Sequence, residues 1–402
     1  MSKNQLLIRD ITKKVTGRYD EYVELSAEVD GDRICFRAPR EFDLPVCAEP
    51  FVGVALLEAM YRNADIVIDQ QAALSEKLAL ALPEIQSIYK CWNSDLSVIK
   101  IIARHAPQTA DYERVSCYFS AGVDASHTAL RHLDKISHLV MIGNFESSGN
   151  SPESWQRSIE KQSRFAQSIG KQLVPIWTNA KEWIHKKKIF WGFAQGLFLG
   201  SMASLLQSRI VYIASTFTYS EILPWGSSPL SDQLWSTEAT QIVHDGAAFR
   251  RGQKLEELSK NQSFLDNLKV CWLSEDENCG QCSKCLRTML GLKLLGVTSK
   301  ALPELNNESK VLKILKPAGD TDLTNLRDLI KMAYAARDKR VLKTLIGFHR
   351  RYLIRNLIVQ FDKYILNPVI KRIYRKVFKD MWAGGYYKLR VTMLSDNHLK
   401  KD

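Results

Sequence analysis

Four short apolar runs alternate with helical stretches in the middle of this chain. That rhythm restricts its fold more than any other feature. The runs cover 115–119, 138–143, 172–177 and 209–214, and the stretches 126–135, 153–169 and 181–207 between them read as helices. Short apolar strands joined by crossover helices predict an α/β fold, a Rossmann-type parallel sheet with helices on both faces. Ligands of such sheets bind at the carboxyl ends of the strands. The flanks differ. Residues 1–110 read as a small α+β domain, with strands over 6–14, 22–29, 33–38 and 98–103 and helices over 51–62 and 74–91. Residues 111–298 hold the sheet, and 299–402 read as a helical, basic C-terminal region.

With 402 residues the chain is long enough for a large core and two or three domains. Its 45% hydrophobic and 25% charged residues exclude global disorder, a collagen-like fibre and a disulfide miniprotein. The net charge of +12 is unevenly placed. Residues 331–402 carry 18 Lys and Arg against 5 Asp and Glu, while the other 330 residues carry 38 against 39. A basic module on a neutral body points to an anionic partner, RNA or an anionic membrane surface. In the tail, Arg350, Arg351, Arg355, Lys371, Arg372, Arg375, Lys376 and Lys379 interleave with Phe348, Tyr352, Phe361, Tyr364, Tyr374, Phe378 and Trp382. Basic residues among aromatics suit phosphate contact and base stacking, or a lipid surface, or a solvated helix face.

The uncharged stretch 189–208 has the length of a membrane span, with Gly192, Gly196, Gly200 and Ser204 at the spacing of a tight helix–helix seam. Its Gln, Ser and Gly content, and its place between two strands, favour a buried crossover helix. The N-terminus has no apolar signal-peptide core. Together these predict a cytoplasmic protein, peripheral at a membrane if the tail binds one.

The first strand of the sheet runs into Ser120, Ala121, Gly122, Val123, Asp124, Ala125 and Ser126, and then a helix. A small-residue turn before a helix leaves backbone N–H groups free to hold an anion, and the helix dipole favours one there. Ser120 and Ser126 can donate to phosphate. Asp124 would repel phosphate, so it reads as a Mg²⁺ ligand or a helix cap. Neither a Walker P-loop nor a dinucleotide-binding glycine pattern is present.

Cys271, Cys279, Cys282 and Cys285 form the second motif, C-x7-C-G-Q-C-S-K-C. Four thiolates match closed tetrahedral Zn²⁺ coordination, and an iron–sulfur cluster is the alternative. Four protein ligands leave no open position, so the site reads as structural. The other four cysteines are scattered in apolar contexts, which suits a reducing compartment. Among them, Cys117 reads as core.

These two motifs resemble the PP-loop ATP pyrophosphatases, whose loop is S-G-G-x-D-S. Ser120, Gly122 and Asp124 match; Ala121 stands at the first Gly and Ala125 at the final Ser. A PP-loop followed by this cysteine pattern is similar to 7-cyano-7-deazaguanine synthase over roughly 115–290. Pro224 to Leu230 and Asn278 to Thr288 are similar to patterns in related bacterial PP-loop proteins. The resemblance implies a HUP-like fold with bound ATP, Mg²⁺ and Zn²⁺. It implies cleavage of ATP to AMP and pyrophosphate, with a carboxylate or amide oxygen adenylylated and then displaced by ammonia or an amine. An RNA-modifying enzyme of the same chemistry and a degenerate nucleotide-binding module are the alternatives.

Further candidates lie at the same predicted edge. Asn179, with Thr178, ends the third strand and is placed to contact nucleotide. Lys254, with Arg250 and Arg251, can stabilise charge developing on transferring phosphates. His244 is a proton-transfer candidate. The loop after the fourth strand, with Tyr219, Glu221, Trp225, Ser227, Asp232 and Trp235, is placed to stack on a small substrate or to pack on itself.

Overall fold

The computed structural model describes residues 4–18, 21–70, 72–143, 151–274, 276–305 and 320–364. Five parallel strands form the expected sheet: β8 (Arg114–Tyr118), β9 (His138–Ile142), β10 (Gln172–Thr178), β11 (Ser208–Ala214) and β12 (Gln241–Asp245). Their order is β12-β11-β8-β9-β10. The fold is therefore α/β with a large, mostly parallel central sheet. The fifth strand, β12, was not among the runs read from the sequence; its apolar stretch is Ile242 and Val243 alone.

Side chains alternate strictly across this sheet, as period-2 geometry requires. On one face Val115, Cys117, Leu139, Met141, Leu173 and Tyr212 join a core with α3 (Val123–Arg131), α4 (Pro152–Ser168), α7 (Arg251–Leu258), α8 (Gln262–Asp266) and α9 (Ser283–Leu295). On the other, Tyr118, Val140, Val174, Ile176, Val211 and Ile213 join a core with α1 (Glu49–Arg62), α2 (Glu76–Trp92), α5 (Ala180–Lys186) and α6 (Trp191–Met202). Cys117 is a buried member of the first core, with its thiol pushed far up by burial.

The strands of the N-terminal region do not form a sheet of their own. β1 (Gln5–Thr16), β2 (Tyr22–Val29) and β3 (Asp32–Pro39) form an antiparallel meander, and β4 (Asp65–Ile68) and β6 (Ile101–Ile102) extend it in parallel beyond β1. β3 then pairs antiparallel with β10 through Trp177↔Arg37 and Thr178↔Phe36, so all ten strands make one continuous sheet. Two further short strands, β5 (Ala73–Ser75) and β7 (Arg104–Ala106), pair separately.

The stretch weighed as a membrane span is α6 followed by a 3-10 turn over Ala203–Leu206. A helix of 12 residues covers about 18 Å, short of a bilayer core of about 30 Å. Among the described residues no helix is long and apolar enough to cross a membrane. The small-residue row also has another use. A Cβ on Gly196 would run into the carbonyl of Gly226, and one on Gly200 would meet Trp235. The row admits the 225–235 loop, while α1 approaches α6 beside it at Gly53, where a Cβ would meet Ser201 and the carbonyl of Leu197.

Asp320–Ala335 and Lys339–Tyr364 are helical, as read. α10 (Asp320–Ala335) packs on α7 and α9, and Leu326, Leu329 and Ala333 share a core with Val341, Leu345 and Phe348 of α11 (Lys339–Tyr364). The start of the basic region is therefore part of the body. Lys371, Arg372, Tyr374, Arg375, Lys376, Phe378, Lys379 and Trp382 lie outside the described residues.

Because Gly196 has backbone where a side chain would go, Gly196→Ala should destabilise the protein by about 3 kcal/mol. Denaturant unfolding measures this; a change within about 0.5 kcal/mol, typical of neutral surface sites, would refute the close approach.

Candidate active site and metal centre

Five parallel strands place five carboxyl ends on one edge, and the predicted loop is at the middle one. Phe119 leaves β8, and Ser120, Ala121 and Gly122 turn the chain into α3. Ala121 has φ +56°, the left-handed region that glycine enters freely and alanine at a cost of about 1–2 kcal/mol. Its carbonyl accepts from Lys269 N at 2.8 Å, which holds the turn. Gly122 is the N-cap of α3 in extended conformation, and no side chain caps the helix. Among the described residues its N–H reaches only Ser120 Oγ, at 3.4 Å. Ser126 is buried, with its N–H in the first helical bond to Gly122 O.

Asp124, in the first turn of α3, is not a cap. Its Oδ1 accepts from Lys254 Nζ at 3.0 Å and its Oδ2 from Arg251 Nη1 at 2.5 Å. Burial alone would raise the Asp124 carboxyl, but these two cations outweigh it and hold it below the ordinary range. Lys254 is only 1% exposed, and it also donates to the carbonyl of Ser215, just past β11, at 2.5 Å. A third cation, Arg287 of α9, is close enough to interact with both Asp124 and Arg251. Burial first, and then Arg251, pull its guanidinium down to about 10, and its Nε is buried without a hydrogen-bond partner among the described residues. Three cations thus gather at Asp124 beside an uncapped helix N-terminus, and the carboxylate of Asp322 is also close enough to interact with Arg287. Arg250 instead faces Asp328 of α10, at 3.5 Å.

The second turn of α3 is fixed by groups the sequence reading missed. Asp245, at the end of β12, accepts from Thr128 Oγ1 at 2.9 Å and Arg131 Nη1 at 3.1 Å, and pairs with His132 Nε2 at 2.9 Å. His127, fully buried, pairs with Glu257 of α7 at 2.7 Å. The only sequence signal was a helix carrying His, Thr, Arg and His directly after the loop.

Other candidates are committed elsewhere. Asn179 ends β10 at the expected edge, but its side chain joins two strands: Oδ1 accepts from Cys35 N at 2.9 Å and Nδ2 donates to Arg33 O at 2.8 Å. Thr178 Oγ1 accepts from Ala180 N at the start of α5. His244 Nδ1 pairs with the buried Asp232 at 2.7 Å, and Asp232 also accepts from Ser227 Oγ at 2.7 Å and Ser228 N at 3.1 Å. These three residues pin the 225–235 loop. Trp235 is core, and Trp225 packs edge-on against Phe190 and Phe217. Only Tyr219 of the loop's aromatics is largely exposed.

The four cysteines converge. All four Sγ atoms lie within 4.8 Å of one another, with Cys279–Cys285 at 4.0 Å and Cys271–Cys282 at 3.9 Å. A tetrahedral ion with metal–sulfur bonds of about 2.3 Å needs sulfurs about 3.8 Å apart. A four-iron cluster binds each thiolate to a different iron and would spread them further. The site can hold a metal ion such as zinc. Backbone N–H groups point at the sulfurs: Leu273 and Ser274 at Cys271, Gln281 and Cys282 at Cys279, and Cys285 at Cys282. Burial raises the Cys271 thiol, yet such hydrogen bonds bring it down to about 6. Asn278 organises the centre. Its Oδ1 accepts from Val270 N and Cys271 N, and its Nδ2 donates to Leu268 O and Ala301 O. Gly280 has φ +66°, and a Cβ there would reach 2.5 Å from Pro303.

Compared with known proteins, the chain matches no protein-family profile, no curated protein and no solved structure.

Two outcomes follow. Purified protein should carry about one metal ion per chain by elemental analysis, and Cys282→Ser should abolish it and sharply lower the melting temperature. A metal-free wild type of equal stability would refute the centre. Second, Asp124→Asn leaves Lys254 and Arg251 without their carboxylate and should cost about 3 kcal/mol at neutral pH. A depressed carboxyl stabilises the fold above its ordinary 3.8 and loses that contribution as the pH falls through its lower folded value. The gap between wild type and variant should therefore close below pH 3.8, as acid titration of unfolding would record.

Proposed function

We propose that this protein is an ATP-dependent enzyme of the PP-loop type. It binds ATP over residues 120–126 and cleaves it to AMP and pyrophosphate. AMP passes to a carboxylate or amide oxygen of a small molecule, and ammonia or an amine then displaces it. The observation that carries the reading is the surplus of positive charge around Asp124. Arg251, Lys254 and Arg287 converge beside the uncapped start of α3. Asp124 and Asp322 offset part of that charge, and the remainder, with the helix dipole at a sheet's carboxyl edge, suits the phosphates of a nucleotide.

The residues divide the work by their chemistry. The N–H groups opening α3 and the hydroxyl of Ser120 bind phosphate oxygens. Arg251 and Lys254 stabilise the charge that grows on the leaving pyrophosphate. Asp124 is the carboxylate at hand for the Mg²⁺ that accompanies a nucleotide, which is held largely by phosphate oxygens. Lys254 is pre-set by the Ser215 carbonyl, so it costs little reorganisation during reaction. The metal in the four-cysteine centre is zinc in this reading. With four protein ligands it stays out of the chemistry and shapes the ground beneath the loop.

A second reading, nucleotide binding without turnover, has one observation in its favour. Ala125 stands where the resemblance has Ser, and the neighbouring Ser126 is buried. Ala121 does not favour it, because Ala121 already adopts a glycine-like φ.

The test is nucleotide products. Protein with ATP, Mg²⁺, ammonium and a small-molecule extract should release AMP and pyrophosphate. Lys254→Ala should lower kcat by about 100-fold or more, as loss of a charge-stabilising donor does. ADP as product would overturn the PP-loop assignment. ATP bound without turnover, even on adding Ala125→Ser, would decide for the second reading.

A further inference from the structure

The outward face of α11 changes character along its length. Leu353, Ile354, Leu357, Ile358 and Phe361 are all exposed, Ile354 at 60%, Leu357 at 70% and Phe361 at 53%. At 100° per residue they fall within an arc of about 140°. Lys339, Lys343 and Arg350 lie in the same arc on earlier turns and are exposed, and Arg351 borders it. The opposite face, with Val341, Leu345, Phe348, Tyr352 and Val359, is buried. The helix thus presents a cationic half followed by an aliphatic half. Within 339–364 there are seven Lys and Arg against one Asp.

We propose that this face of α11 docks on an anionic lipid surface. Exposed aliphatic side chains in a contiguous stripe lose free energy to water, and a stripe flanked by Lys and Arg matches the interface below anionic headgroups. Composition decides against RNA. Bases stack on aromatic rings, and this stripe offers four aliphatic side chains and one Phe. Charge decides against a second copy of the chain. An antiparallel pair of these faces would set lysines and arginines on the partner's aliphatic half, and a parallel pair would set cation on cation. The aliphatic stripe covers nine residues, about 13 Å of helix, so it lies in the interface and does not span.

Flotation of the full chain with vesicles tests this. With equal parts phosphatidylcholine and phosphatidylglycerol the wild type should float, and with phosphatidylcholine alone it should float far less. Ile354→Ser with Leu357→Ser should weaken binding at least about tenfold. Both side chains are exposed, so the melting temperature should not move. Arg350→Gln with Arg351→Gln should weaken binding to the anionic vesicles and reduce its dependence on salt. Equal flotation of wild type and the serine double variant would overturn the proposal, because the basic residues beyond 364 would then suffice. Failure to float would overturn it too. So would tight binding of polyuridylate with no vesicle binding, or a dimer that the serine variant dissociates.

Discussion

The ammonium of Lys254 is almost out of water, and its two partners come from two different elements. A buried lysine without a carboxylate is costly, so α7, which carries it, must approach the start of α3, which carries Asp124. The bond to the Ser215 carbonyl adds the end of β11 to the same point. Arg251, three residues earlier on α7, takes the other oxygen of Asp124. One ion cluster therefore fixes three elements at the carboxyl edge of the sheet. It does so where the chain already pays for a left-handed alanine, so strain and charge are concentrated at the same loop.

The four-cysteine site and this cluster are mechanically joined. Lys269 donates from its backbone to Ala121, and two residues later the chain reaches Cys271. Cys282 is the N-cap of α9, and Arg287 is on the second turn of that helix. Whatever gathers the four sulfurs also sets where α9 begins and so where Arg287 points. Asn278, with four hydrogen bonds to backbone groups, supports the same segment from below. α10 closes the other side: Asp328 accepts from Gly252 N at 2.6 Å, at the start of α7. The helical C-terminal region thus begins as a buttress of the cation cluster, and α11 turns an exposed apolar face outward.

Several residues singled out by composition prove to be fasteners. Asn179 joins β10 to β3, which is how the N-terminal meander becomes an extension of the parallel sheet. Asp232, His244 and Ser227 hold a loop whose glycine packs into the small-residue row of α6. Polar residues at a sheet edge can join elements as well as bind ligands, and spacing alone does not separate the two.

By itself the sequence determined the parallel sheet, through alternation of short apolar runs with helices. It also determined the turn into α3, through small residues between strand and helix, and the four-cysteine cluster, through cysteine spacing. Each of these is a local pattern, written within a few residues or one repeat. Tertiary structure alone decided what lay far apart in the chain. It brought Arg251, Lys254 and Arg287 to Asp124 across more than a hundred residues, and Asp245 to α3. It also paired β3 with β10 through only two residue pairs, too short to leave a periodic signal. Desolvation does this sorting. A charge taken out of water must find its partner wherever the chain can place one, and no local pattern records which distant residue that will be.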